Sequence, residues 1–145
     1  LAAQGDPAAA LRLARAYDSG RGVPADAARA ERLYRLAAAA GEVDALYNLG
    51  VFHDKARGGA RDVEEAVRWF LRAADQRDAQ AQLNLGILFY KGDGVPVDHA
   101  QAHAWLVLAA DNGNARAKDL LRALEFGAQL RDGLPVAPTV LIDPP

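Results

Sequence analysis

Two histidines four residues apart, His99 and His103, come nearest in this sequence to a metal site. On a helix that spacing puts both rings on one face, as zinc ligation requires. A catalytic zinc helix also carries a Glu next to its first His, and here neither that Glu nor a third ligand accompanies the pair; only Asp98 is close by. The two rings read as part of a solvated helix face. Nucleophiles are scarcer still. Ser19 is the only serine and Thr139 the only threonine, and neither has a triad-like or Ser-x-x-Lys setting. With no cysteine, thiol nucleophiles, thiolate metal sites and disulfides are all removed. Gly20-Arg21-Gly22 and Gly92-Asp93-Gly94 have closely spaced glycines before a helix, but they lack the Lys and the preceding strand of a phosphate loop. The expectation is therefore of no catalytic residue, no metal and no cofactor.

What remains is recognition. The chain has 145 residues, 51% of them hydrophobic, with a net charge of −2. That length suits one domain with its own core. A near-neutral chain has no electrostatic reason to seek nucleic acid, and the apolar runs are too short to cross a bilayer. Arginine outnumbers lysine 14 to 3 and alanine is abundant, which points to a bacterium with a GC-rich genome. Residue 1 is Leu, so the true N-terminus, with any signal or anchor, is expected upstream.

The elements that would position a binding surface follow from an internal repeat. Sliding the sequence by 36 residues aligns 5–40, 41–76 and 77–112 without a gap. Seven columns are identical in all three units, among them Ala9/Ala45/Ala81, Leu13/Leu49/Leu85, Gly22/Gly58/Gly94, Asp26/Asp62/Asp98 and Ala30/Ala66/Ala102. Each unit reads as helix, loop, helix. Asp6 before Pro7, then Asp78 and Asn114, cap the first helices, and the Gly-Pro loops end them. The Asp column caps the second helices, and Glu65 and Gln101 three residues on make capping boxes. Small residues in the Ala columns, with bulk at Leu33, Trp69 and Trp105, provide the packing between helices. Residues 1–4 match the end of a second helix, so a preceding unit is expected in the parent protein. Residues 113–131 read as a capping helix, and 132–145 as a Pro-rich extended tail.

These residues resemble the Sel1-like repeat, a relative of the tetratricopeptide repeat. Its pattern is carried by Asn84-Leu85-Gly86-Ile87-Leu88-Phe89-Tyr90-Lys91-Gly92-Asp93-Gly94-Val95 with Asp98, Ala102, Trp105 and Ala109-Ala110. Unit two departs at Lys55-Ala56-Arg57-Gly58-Gly59-Ala60-Arg61, which lacks the first loop glycine and the Val, so its turn is open to a different form. Unit two is also similar to the periplasmic repeat domain of PodJ-type polar-localisation factors. The resemblance implies an all-α, right-handed α/α superhelical solenoid of 36-residue helix-turn-helix repeats. It further implies a protein–protein interaction scaffold, in a bacterial envelope or signalling context, with the periplasm ahead of the cytoplasm.

In solenoids of this kind the first helix of each unit lines the concave face. By that resemblance the partner-binding positions are Arg12 and Arg15, with Leu11 beside them, in unit one. Unit two offers Tyr47, Asn48, Val51 and Lys55, and unit three Leu83, Asn84, Ile87, Tyr90 and Lys91. Arg116 and Asp119 add to them from the fourth first-helix. Asn48 and Asn84 lie one unit apart, and an amide can both donate to and accept from a peptide backbone. Equally, each can bond a neighbouring helix, and Tyr47 and Leu83 can fill the core between helices. The expected partner is a protein or an extended peptide, with no nucleic acid and no direct membrane contact. One candidate peptide is a neighbouring copy's own tail around Val136–Ile142. The alternatives are a spacer or oligomerising segment, or a regulatory appendage of an enzyme lying outside this sequence.

Overall fold

The computed structural model describes residues 6–131, with side chains as far as 127. The repeat remnant expected at 1–4 and the tail at 132–145 lie outside the described residues. Among the described residues seven helices follow one another: α1 Pro7–Ser19, α2 Ala27–Ala39, α3 Val43–Asp54, α4 Val63–Asp75, α5 Ala79–Lys91, α6 His99–Asp111 and α7 Ala115–Arg131. Among the described residues there is no strand. Each helix packs on the next in chain order, more extensively within a unit than between units. This is an all-α solenoid.

Aspartate starts five of the seven described helices; α3 follows Glu42 without a side-chain cap and α7 follows Asn114. The Asp6 carboxylate accepts from the Ala8 N–H at 3.0 Å, with Pro7 in the first helical turn. Asp26, Asp62 and Asp98 accept from the N–H groups of Arg29, Glu65 and Gln101 at 3.1, 3.1 and 3.0 Å. The capping boxes expected at Glu65 and Gln101 are not formed. Their intended donors, the N–H groups of Asp62 and Asp98, are taken by the carbonyls of His53 and Phe89 at 3.0 and 2.9 Å, a bond that closes the loop onto the first helix. Asp26 donates to Tyr17 in the same way. Glu65 and Gln101 are thereby released to accept the indole N–H of Trp69 and Trp105, one turn along, at 2.8 and 3.3 Å.

The unit-two loop shares one left-handed position with its neighbours and departs at the next: Gly22 and Gly94 are left-handed at 80° and 81°, but Gly58 in their column is not, and Gly59 takes a φ of 114° instead. Gly20 and Gly92 end α1 and α5 in the left-handed conformation, with φ of 74° and 68°, and Ala56 stands in the same column at 57°. A second column behaves alike: Gly41, Arg77 and Gly113 follow the second helices at 94°, 65° and 95°.

Glycine is required inside the first helices for a different reason. A β-carbon on Gly50 would lie 2.5 Å from the Phe70 ring, and one on Gly86 2.7 Å from the Leu106 side chain. The large residue meeting each glycine thus comes from the column Tyr34/Phe70/Leu106, one position beyond the expected Leu33/Trp69/Trp105. Tyr34 and Phe70 are fully buried, whereas Trp69 lies at the margin of the core. Of the alanine column, Ala45 and Ala81 are buried as expected but Ala9 only partly. Leu13 is 36% exposed where Leu49 and Leu85 have no exposure at all. The reason is positional: α3 and α5 each have a second helix on both sides, and α1 has only α2 among the described residues.

Candidate peptide-binding groove

Successive first helices bring five of the expected binding residues to one open groove. Lys55 enters from the end of α3, Asn84, Ile87 and Lys91 from α5, and Arg116 from α7. Lys55 and Lys91 occupy one repeat column at the close of their helices, so the 36-residue period itself brings two lysines to the same groove. The groove continues into a smaller apolar pocket between α5, α6 and α7. Ile87, Tyr90, Leu106, Leu120 and Leu124 line it, and Lys91 and Arg116 stand at its rim. Its volume, about 190 Å3, is below the usual range for a small-molecule site and suits an apolar side chain.

The polar groups of the groove present donors. Asn114 Nδ2 donates to Gln80 Oε1 at 3.5 Å, and Gln80 Nε2 donates to Asn84 Oδ1 at 3.3 Å. The Asn84 carbonyl is thus engaged and its amide N–H2 is left for a ligand. Two carboxylates border the groove, Asp54 and Asp93, and Arg61 takes both at 2.8 Å, through Nη2 and Nη1 respectively. The hydrogen bond from Arg61 holds the Asp93 carboxyl below the usual carboxylate range. Both carboxylates raise the Arg61 guanidinium in return. Lys55, Lys91 and Arg116 have no ion-pair partner within 4 Å among the described residues.

The other expected residues lie elsewhere or face inward. Leu83 is a correction: at 1% exposure it packs with Leu106, Ala109 and Ala117 beneath the surface. Leu11, in the same column, is buried as well, and Tyr47 between them rests on Phe70 with ring centroids 5.8 Å apart. The whole column therefore turns into the helix pair. Val51 packs against the core, partly buried. Asn48 donates to the Asp44 carbonyl of its own helix at 2.7 Å, so it does not pair with Asn84 in the groove. Arg12 is exposed on α1, and Arg15 reaches Asp44 at 3.8 Å. Asp119 pairs with Arg122 at 3.6 Å. Tyr90 stacks on His99, ring centroids 4.9 Å apart. His99 and His103 border a shallow hollow with Tyr90 and Leu124, and no group of three His, Cys, Asp or Glu that could hold a metal is found among the described residues.

Arg61, Asp54, Asp93 and the apolar pair Leu120 and Leu124 were not among the expected residues. Arg61 gave no signal because its column holds Ala25 and Val97 in the other units. Its role comes from the irregular unit-two loop, which also sends Arg57 back to Asp18 of unit one at 2.7 Å. Burial and the bond its hydroxyl donates to that same Asp18, at 2.9 Å, raise the Tyr34 phenol above its ordinary range.

Helix pairs stacked at a fixed period, with a donor-lined groove along the first helices, define a helical-repeat protein of the tetratricopeptide type. The chain belongs to the Sel1 repeat family, whose model matches residues 7–42, 43–78 and 79–114. It is similar to a Sel1 repeat protein from Oxalobacter formigenes, 33% identical over 90% of this chain and 52% of that one, with a TM-score of 0.76. A protective antigen of uropathogenic Escherichia coli with this repeat fold is 35% identical over 92% of this chain and 27% of its own, with a TM-score of 0.78. Helicobacter pylori cysteine-rich protein B, 18% identical over 81% of this chain and 96% of its own at a TM-score of 0.63, shares the fold. The chain thus spans about half of the Oxalobacter protein and about a quarter of the antigen. Among curated proteins none matches. Among the described residues no helix is long and apolar enough to cross a membrane.

Proposed function

We propose that this chain is a protein-interaction scaffold that holds an extended segment of a partner along α3, α5 and α7. The observation that carries the reading is the convergence of Lys55, Asn84, Ile87, Lys91 and Arg116 on one groove that leads into an apolar pocket. Two helix-pair steps of about 10 Å each are covered by about six residues of extended chain, so one short strand reaches all five side chains. Sel1 repeats serve generally as protein-interaction scaffolds, which agrees with this use. An envelope setting is the accompanying proposal, motivated by the similarity to a protective antigen of uropathogenic Escherichia coli.

Panning a random peptide library on the protein tests the reading. Ile87→Glu places a carboxylate at the junction of groove and pocket, on a partly buried side chain that packs against the Leu83–Leu106 cluster, so its melting curve is recorded beside that of the parent protein. Peptides enriched on the parent protein and lost on the folded Ile87→Glu variant support groove binding. Enriched peptides indifferent to Ile87→Glu contradict it.

A further inference from the structure

The groove has a sign and a shape that the overall composition conceals. The chain carries a net charge of −2, yet the groove gathers Lys55, Lys91, Arg116 and Arg61 against only Asp54 and Asp93. Arg61 bonds both carboxylates, at 2.8 Å each, and the other three cations have no ion pair within 4 Å, so four positive charges stand against two negative ones. The Asn84 amide, its carbonyl held by Gln80, adds a neutral donor among them. Lys91, Arg116 and Ile87 are shared by the groove and by the apolar pocket, so the two subsites are adjacent.

Resting on the groove reading above, we infer that the occupant is an acidic segment of a partner protein with a large apolar side chain next to its carboxylates. The Asp or Glu side chains sit among Lys55, Lys91, Arg116 and the Asn84 amide. The apolar side chain fills the pocket of Ile87, Leu106, Leu120 and Leu124. In an extended peptide successive side chains alternate in direction, so an acidic residue and an apolar residue one or two positions apart meet the two subsites together. Three unpaired cations at one concave surface raise the local concentration of such a segment and speed its docking. The chain's own tail, Val136 to Asp143, supplies apolar side chains with a single carboxylate, Asp143 after Ile142, so it matches the charge of the groove less well than a segment with several acidic residues.

Fluorescence anisotropy with short, end-blocked peptides tests this. The probe peptide holds two Glu and two Asp around one Leu. Its controls are the same peptide with Gln and Asn, the segment 136–142, and a phosphoserine version. The acidic peptide should bind about tenfold or more tighter than its amide counterpart and lose that margin at high salt. Lys55→Ala, Lys91→Ala and Arg116→Ala should each weaken it several-fold. Asp93→Asn, at an exposed position, should strengthen it, a gain that damage to the fold cannot imitate. Three outcomes would overturn the inference: equal binding of the amide peptide, tighter binding of segment 136–142, or preference for phosphoserine over carboxylate with no apolar requirement. If library panning meanwhile returns groove-binding peptides without acidic residues, the groove reading stands and only the partner chemistry falls.

Discussion

Ala56 and Arg77 adopt a left-handed backbone in columns where the other units place glycine. A β-carbon in that conformation costs about 1–2 kcal/mol, while glycine's extra freedom in the unfolded chain costs about 0.5–1 kcal/mol, so strain outweighs entropy. Ala56→Gly and Arg77→Gly should each stabilise the fold by about 0.5–1 kcal/mol. Urea unfolding with a raised midpoint and an unchanged slope would show it. Glu65 gives a residue-scale expectation in pH. Arg68, with the Trp69 indole second among its hydrogen-bond donors, holds its carboxyl below the ordinary value of 4.5. A carboxyl lowered in the fold contributes stability that is present above its ordinary value and lost as pH falls through the folded one. Glu65→Gln should therefore reduce the acid dependence of stability below about pH 4.5 while the neutral-pH fold persists. An acid limb identical to that of the parent protein would show that Glu65 is not the group responsible.

At the scale of elements, Gly50 and Phe70 decide how closely α3 and α4 approach. Replacing a helical glycine by alanine ordinarily gains about 1 kcal/mol from propensity. Here the added carbon would stand 2.5 Å from the Phe70 ring, inside any normal contact, and overpacking of that kind costs about 1–3 kcal/mol. Gly50→Ala should lower the melting temperature, and adding Phe70→Leu should recover part of the loss. Additive effects in that double-mutant cycle would deny the contact. The small residues at this position, Ala14, Gly50 and Gly86, follow the repeated Leu13, Leu49 and Leu85 at the 36-residue spacing and are visible in the sequence. Their partner column was not: the tryptophans drew attention as the largest residues, and only the helix rotation shows that Tyr34, Phe70 and Leu106 point inward. The same blindness to rotation placed Leu83 on the surface, since a side chain one position from Asn84 can face either way until its neighbours are known.

For the whole molecule, periodicity gave the number of helices, their order and their capping residues, because stacking identical pairs repeats the same physical demand every 36 residues. The groove was half legible. Lys55, Asn84, Ile87, Lys91 and Arg116 were expected from the first-helix pattern, whereas Arg61 with its two carboxylates breaks the repeat and could be found only in three dimensions. The electrostatic character of the groove likewise depends on which cations are left unpaired, a property of geometry and not of composition. The central claim is that the first helices carry the ligand. Backbone amide chemical shifts, recorded while a library-selected peptide is titrated into the protein, test it most directly. The expected result is shifts concentrated in α3, α5 and the start of α7, around Lys55, Asn84, Ile87, Lys91 and Arg116. Shifts concentrated instead on the second helices α2, α4 and α6 would contradict it.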